Sequence, residues 1–403
     1  MARPMCHTGA PTVRDIFQSF FIVGCMAFGG PAAHIGYLRE EFVSKKQWVT
    51  EQAFSDLLAL CQFLPGPGST QLVIAIGTVC RGRIGGLAAF MGFLLPASVL
   101  MIGFGYGFLE YENTFNQDWY RGFTIAVVAV VARAVAQMAP VLCPDFRSRF
   151  IAIVIIVGLL VWPSLFTQIS AIAAGGLAGF LWRRNKTTLE KFQPIRTVSE
   201  TFAVTNLSVF VFLLLGMPIF SSVVSLPDIF EVFEGLFRSG SLVFGGGHVV
   251  LPLLEAEVVP NGWLAQDAFF SGYGVMQALP GPVFAFAGYI GTVMSPAPNG
   301  LLGGFICLVA LFLPGTLLIW GVLPYWARFS NNLRIGSIVS GINAAVVGLL
   351  AAALYDPIWG NAISGKTDIA IALIAFCALQ LKKIPIWLVV MGCAVAAGTV
   401  AAL

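Results

Sequence analysis

Two short segments, QFLPGPGSTQ (Gln62 to Gln71) and QALPGPVFAF (Gln277 to Phe286), set two prolines around one glycine inside otherwise apolar surroundings. No continuous helix runs easily through either. Proline removes a backbone donor and its ring clashes with the preceding turn, so the pairs Pro65/Pro67 and Pro280/Pro282 end one helix and let another begin. A second kind of break, FGGP at Phe28 to Pro31 and FGGG at Phe244 to Gly247, precedes each of them.

The surroundings decide what such breaks mean. The chain is 58% hydrophobic and 10% charged, a balance no water-exposed surface of this size tolerates. A helix needs about 20 apolar residues to cross hydrocarbon, and roughly a dozen such stretches are present. The expected fold is an all-α polytopic membrane protein of about 12 to 13 spans. The net charge of +3 is spread over short loops, which points to no nucleic-acid partner. The eight cysteines, from Cys6 to Cys393, occur without a C-x-x-C pair and read as small apolar helix residues rather than as metal or redox centres. FQSFFIVGCMAFGG (Phe17 to Gly30) has the look of a signal-peptide core, but FEGLFRSGSLVFGGG (Phe233 to Gly247) repeats it mid-chain, so it is structure.

That recurrence runs through both halves. Phe244 follows Phe28 by 216 positions, Gln277 follows Gln62 by 215, and Pro314 follows Pro96 by 218. The chain therefore divides into an N-terminal repeat over 14–182, a linker with one additional apolar span over 183–232, and a C-terminal repeat over 233–403. Each repeat holds six apolar elements, in the first near 14–30, 52–80, 84–110, 120–140, 149–163 and 165–182. An even-numbered unit plus one extra span turns the second copy upside down. The linker carries five Lys or Arg and belongs on the cytoplasmic side. Arg81, Arg83, Arg147, Arg149, Lys382 and Lys383 fall on the same side, with 111–118 and 295–299 opposite. Arg39, Lys45 and Lys46 fall outside if every element spans fully, and inside if the first two elements are re-entrant.

Inverted halves with interrupted helices are the architecture of secondary transporters, whose substrates bind where helices break. The freed amides need partners that hydrocarbon does not supply. Each break also exposes the start of a new half-helix, an electropositive end suited to an anion. Pro31 suits the first position of the helix after Gly29 and Gly30; Ser69 and Thr70 cap or donate hydroxyls after Gly66. The repeats of these starts lie after Gly245, Gly246 and Gly247, and after Gly281. Pro and Gly also kink membrane helices or tighten packing; the symmetric recurrence of both breaks favours a built pocket.

Polar side chains nearby extend the candidate site. Gln62 and Gln277 lie three residues before each LPGP proline, Gln71 just after the first motif, and His248 at a helix start. Arg133, centred in VAVVARAVAQM, needs an anionic partner, and Glu255, in LPLLEAEVV, is the carboxylate placed for charge coupling. No H-E-x-x-H, G-x-S-x-G or Walker-type loop occurs, so no catalytic residue, metal site or cofactor is expected. A pore remains the other transport reading.

The blocks FGGPAAHIGYLREEFV with Trp48, ALCQFLPGPGSTQLVIAIG, FGGGHVVLPLLEAEVV and QALPGPVFAFAGYIG together resemble the chromate ion transporter family in its long two-domain form, over nearly the whole chain. The resemblance implies a multi-pass protein of a prokaryotic plasma membrane, with homologous halves of opposite orientation. It also implies export of chromate, conferring resistance, driven by the proton motive force or by exchange. It places weight on Phe28, Gly29, Gly30, Gln62, Pro65, Gly66, Pro67 and Gln71, and on Phe244 to His248, Gln277, Pro280, Gly281 and Pro282. The expected partners are a small inorganic oxyanion and the lipid bilayer, with a homodimer among the assemblies allowed. Chromate and sulfate are tetrahedral oxyanions of similar size, so sulfate or another oxyanion stays open as substrate, as does an anion channel.

Overall fold

The computed structural model describes residues 11–111, 117–182, 198–223, 227–295, 297–329, 333–381 and 384–401. The basic linker segment 183–197, the loop 112–116, position 296, Lys382, Lys383 and Cys6 lie outside the described residues. Among the described residues all regular structure is helical.

The breaks fall where proline and glycine require them. Helix α1 (Val13–Met26) opens on a capping box between Thr12 and Asp15, which satisfies two orphan amides at once, and stops before Gly29. Helix α2 (Gly30–Arg39) starts with Pro31 in its first turn and is drawn out into a π turn, Glu40–Lys45. Helix α3 (Glu51–Phe63) ends at an extended Leu64, and α4 (Gly68–Tyr111) begins beyond Pro67. A kink at Arg81 and Gly82 divides α4 into two arms. Helices α5 (Gln117–Leu142), α6 (Phe146–Val161) and α7 (Leu165–Leu181) complete the first repeat.

Helices α8 (Glu200–Val211) and α9 (Met217–Val223) form the connecting passage. The second repeat reproduces the first: α10 (Asp228–Leu242), a break, a 3₁₀ turn and α11 (Val250–Val258); then α12 (Gln266–Ala278), a break, a 3₁₀ turn and α13 (Phe286–Val293). It continues through α14 (Gly300–Val322), the short α15 (Trp326–Phe329), α16 (Leu333–Ala353), the short α17 (Gly360–Ala362), α18 (Lys366–Gln380) and α19 (Ile386–Ala401). Among the described residues five helical segments are long and apolar enough to cross a membrane, 68–110, 120–142, 200–220, 300–325 and 334–362, and 165–181, 283–293 and 386–400 are shorter and apolar.

Each broken pair folds back on itself. The Phe20 ring stacks on Phe42 with centroids 4.2 Å apart, so the π turn that extends α2 comes back onto α1. Ser239 Oγ donates to the Leu253 carbonyl at 3.3 Å, closing α10 on α11. The Tyr289 hydroxyl donates to the Ala268 carbonyl at 3.0 Å, and the Ser295 amide to the Trp263 carbonyl at 2.8 Å, closing α12 on α13. Helix α3 packs against α4 in the same position of the first repeat. The six apolar elements of a repeat thus divide into re-entrant hairpin limbs and unbroken helices. Lys46 consequently returns to within electrostatic reach of Asp15 at the start of α1, the re-entrant course the loop charges favoured.

Equivalent helices of the two repeats run in opposite directions. Along the second arm of α4 and along α14, the Tyr106 hydroxyl accepts from the Leu301 amide at 2.8 Å, and Phe90 meets Phe312 with centroids 5.6 Å apart. Trp320 Nε1 donates to Thr78 Oγ1 at 3.0 Å, just before that arm begins. Residue numbers fall on one helix as they rise on the other, so a two-fold axis perpendicular to the helices relates the repeats, and their topology is inverted. The repeats also exchange partners. Helix α5 packs on α18 and α19 of the second repeat, tied by an Arg121–Asp368 ion pair, while α16 packs on α6 and α7 of the first. The main apolar core therefore draws on both repeats.

Candidate functional site

The hairpin tips meet inside the helical layer. The Gly66 amide donates to the Val243 carbonyl at 2.7 Å, and the Gly281 amide donates to the Ala27 carbonyl at 2.9 Å. Each LPGP turn is thereby bonded to the residue just before the Phe-Gly-Gly break of the opposite repeat. The glycines are required there. Gly66 (φ +121°) and Gly281 (φ +107°) adopt backbone angles open mainly to glycine. A Cβ on Gly66 would stand 3.1 Å from Gly315 Cα, and one on Gly281 2.6 Å from Ala97 Cβ. Ala97 is fourteen residues from either end of the second arm of α4, roughly 21 Å at 1.5 Å per residue, which sets this junction midway along a spanning helix.

The residues singled out in the sequence are placed as follows. Gly29 and Gly245, equivalent positions, both carry exposed surface, whereas Gly247 and Gly281 are buried. Gly30 lies against His248 of the other repeat, whose Nε2 would be 3.6 Å from a Cβ at that position. Ser69 Oγ is 3.4 Å from His34 Nδ1, and His34 Nε2 donates to the Ala27 carbonyl at 3.0 Å. Thr70 Oγ1 is buried without a hydrogen-bond partner. Pro67 and Pro282 stand immediately before the restarted helical segments.

Several of these groups are engaged within the protein. The amides of Gly66 and Gly281 are taken by carbonyls, so these two glycines close the junction. Gln62 is exposed while its counterpart Gln277 is buried. Gln71 Nε2 is bonded to the Pro65 carbonyl at 2.8 Å, an internal strut that satisfies a break carbonyl, and only its Oε1 is left without a partner. Glu255 sits beside Asp356 in the π turn Leu354–Trp359; no ion pair joins it to Arg133 among the described residues.

Two polar residues missed by sequence reasoning stand at the second-repeat break. His248 Nδ1 is 3.2 Å from the Tyr273 hydroxyl, which lies next to the Gln277 side chain. Asn343 of α16 places its Oδ1 3.5 Å from where a Cβ on Gly245 would be. Asn343 had a usable signal, a lone amide in the apolar run SGINAAVVGLL, the same criterion that singled out Arg133.

Among the described residues no group of three or more His, Cys, Asp and Glu side chains is arranged to hold a metal. Two inverted repeats, each with two re-entrant hairpins whose tips interlock within a bundle of apolar helices, define a multi-pass membrane transporter of the inverted-repeat class. The chain belongs to the chromate transporter family, whose model matches residues 14–180 and 230–398. It is 28% identical over 348 residues to the chromate transport protein of Pseudomonas aeruginosa, covering 85% of this chain and 80% of that one. It is 27% identical over 392 residues to the chromate transport protein of Cupriavidus metallidurans, covering 96% and 93%. An uncharacterized transporter of Methanocaldococcus jannaschii is 26% identical over 355 residues, covering 85% and 83%. No solved structure matches the chain. This is a transport family, not an enzyme family.

Proposed function

We propose that this protein carries chromate across the membrane, outward from the cytoplasm, and holds it in transit at the junction of the hairpin tips. The observation that carries this reading is the reciprocal pair of bonds, Gly66 to Val243 and Gly281 to Ala27. They assemble all four helix breaks in one place, so the first-turn amides of the restarted helices, which have no intrahelical acceptors, gather around one small volume. An oxyanion bearing up to two negative charges gains most from such fixed donors in a low-dielectric setting. With an interior-negative potential, moving net negative charge outward is downhill by about 2.3 kcal/mol per charge per 100 mV, which favours efflux and hence resistance.

Inside-out vesicles test it. Chromate tracer uptake should rise with imposed potential or pH gradient and should respond to excess sulfate only by simple competition. Uptake indifferent to both gradients would replace coupled transport with a passive pore. No uptake at all would remove chromate as the substrate.

A further inference from the structure

The two-fold relation that governs the backbone fails at the side chains around the tips. On the first-repeat side His34 is bonded to the Ala27 carbonyl and Gln71 to the Pro65 carbonyl, with Thr70 Oγ1 and Gln71 Oε1 left unpartnered. Around the second-repeat break the unpartnered atoms include a guanidinium nitrogen. Arg133 Nε, Gln277 Nε2 and Asn343 Oδ1 are all buried without a hydrogen-bond partner. The repeat-related positions are Ala351 for Arg133 and Ile125 for Asn343, and Gln62, related to Gln277, is exposed.

These three residues lie on different helices, α5, α12 and α16, of which α12 and α16 both pack on α5. Ala278, next to Gln277, packs against the apolar cluster that includes Val130 of α5, and Arg133 lies one turn further along that helix. Arg133 is within electrostatic reach of His248, whose ring is bonded to Tyr273. The Tyr273 hydroxyl lies next to the Gln277 side chain, whose Nε2 has no hydrogen-bond partner. Met138 of α5 and Asn343 of α16 both line the Gly245 backbone, and Met138 that of Gly246 as well. The Asn343 amide can present either end, since exchanging its oxygen and nitrogen keeps its shape. Ser340, one turn before Asn343 on the same helix, lines a crevice with Asp145, Arg147 and Ser148, on the side the arginines mark as cytoplasmic.

An arginine in an apolar helix, without a carboxylate in ion-pair range among the described residues, calls for an anion. Its planar fork suits two oxygens of one tetrahedral group. We infer that Arg133, Gln277 and Asn343 form a single oxyanion site on the second-repeat side of the junction, loaded from the cytoplasmic crevice and taking tetrahedral dianions. This rests on the proposed chromate transport and locates its binding step.

The test is equilibrium titration of detergent-purified full chain with sodium chromate and, separately, sodium sulfate, following both heat and melting temperature. Arg133→Gln should weaken anion binding by about 10- to 100-fold, the loss expected for a charge-assisted hydrogen bond, and should abolish the anion-induced rise in melting temperature. Arg133→Lys should recover part of it, and Gln277→Leu and Asn343→Leu should each weaken it. Arg121→Gln, which removes the same charge from the same helix, should bind as the unaltered protein does. Anion binding by Arg133→Gln or by both leucine variants at unaltered affinity would overturn the site. Sulfate binding that depends on Arg133, in a protein that neither binds nor moves chromate, would keep the site and remove the chromate reading. Failure of the unaltered protein to bind either anion would overturn both.

Discussion

The amide of Gly66 reaches across the repeat boundary to the carbonyl of Val243 at 2.7 Å, and Gly281 returns the same bond to Ala27 at 2.9 Å. Each hairpin tip is thus held by the other repeat, and neither repeat alone completes its own breaks.

This interlock makes Gly281→Ala costly. The new methyl would stand 2.6 Å from Ala97 Cβ in a backbone with φ +107°, so overpacking and strain should cost about 1 to 3 kcal/mol. Thermal unfolding in detergent should show the loss, and Ala97→Gly in the same chain should recover part of it by vacating the contact. Vesicle transport should fall with Gly281→Ala and recover partly in the double variant. Gly281→Leu, and Gly66→Leu at the equivalent turn, should eliminate transport.

Arg238 joins the limbs of the α10–α11 hairpin through two bonds to Glu257, at 2.8 and 2.9 Å, and one to Glu234 at 2.7 Å. The Glu257 side chain is 3% exposed and that of Glu234 14%. Glu257→Gln leaves a half-buried guanidinium half-compensated and should cost about 2 to 3 kcal/mol. Glu234→Gln should cost about 1 kcal/mol or less, because the bidentate partner remains. Chemical unfolding of the two variants side by side measures the difference.

The two break histidines should separate stability from binding. His34 donates to the Ala27 carbonyl inside the junction, so His34→Ala should lower the melting temperature, by about 1 kcal/mol for one hydrogen bond, with chromate affinity unchanged. His248 is bonded to Tyr273 beside Gln277 and lies within electrostatic reach of Arg133, so His248→Ala should weaken chromate binding several-fold. Isothermal titration and melting of both variants check the split.

Much of this architecture was legible in the chain itself. Pro65, Pro67, Pro280 and Pro282 announce the breaks because proline forbids what a helix requires, and the offsets of 215 to 218 announce the duplication. The inversion followed from parity and loop charge. The partner exchange of α5 with α18 and α19 was not legible, because an apolar helix face does not name the face it covers. The bonds that engage Gly66 and Gln71 within the protein were not legible either. A freed amide or side-chain donor near a break can be claimed by a carbonyl from far along the chain, as Val243 claims Gly66, and no local pattern records that.

The inverted arrangement predicts labelling from opposite faces. In a chain without other exposed cysteines, Ser295→Cys should react with a membrane-impermeant maleimide in intact cells. Arg81→Cys, at the matching turn of the first repeat, should react only in inside-out vesicles.

The central claim, that interlocked tips hold an anion within the membrane layer, is met most directly by anomalous diffraction from crystals containing selenate, a tetrahedral dianion with a strong scatterer. The account predicts one principal selenium peak beside Arg133 and Gln277. No peak there, or a peak only at the outer crevice beside Arg147, would contradict it.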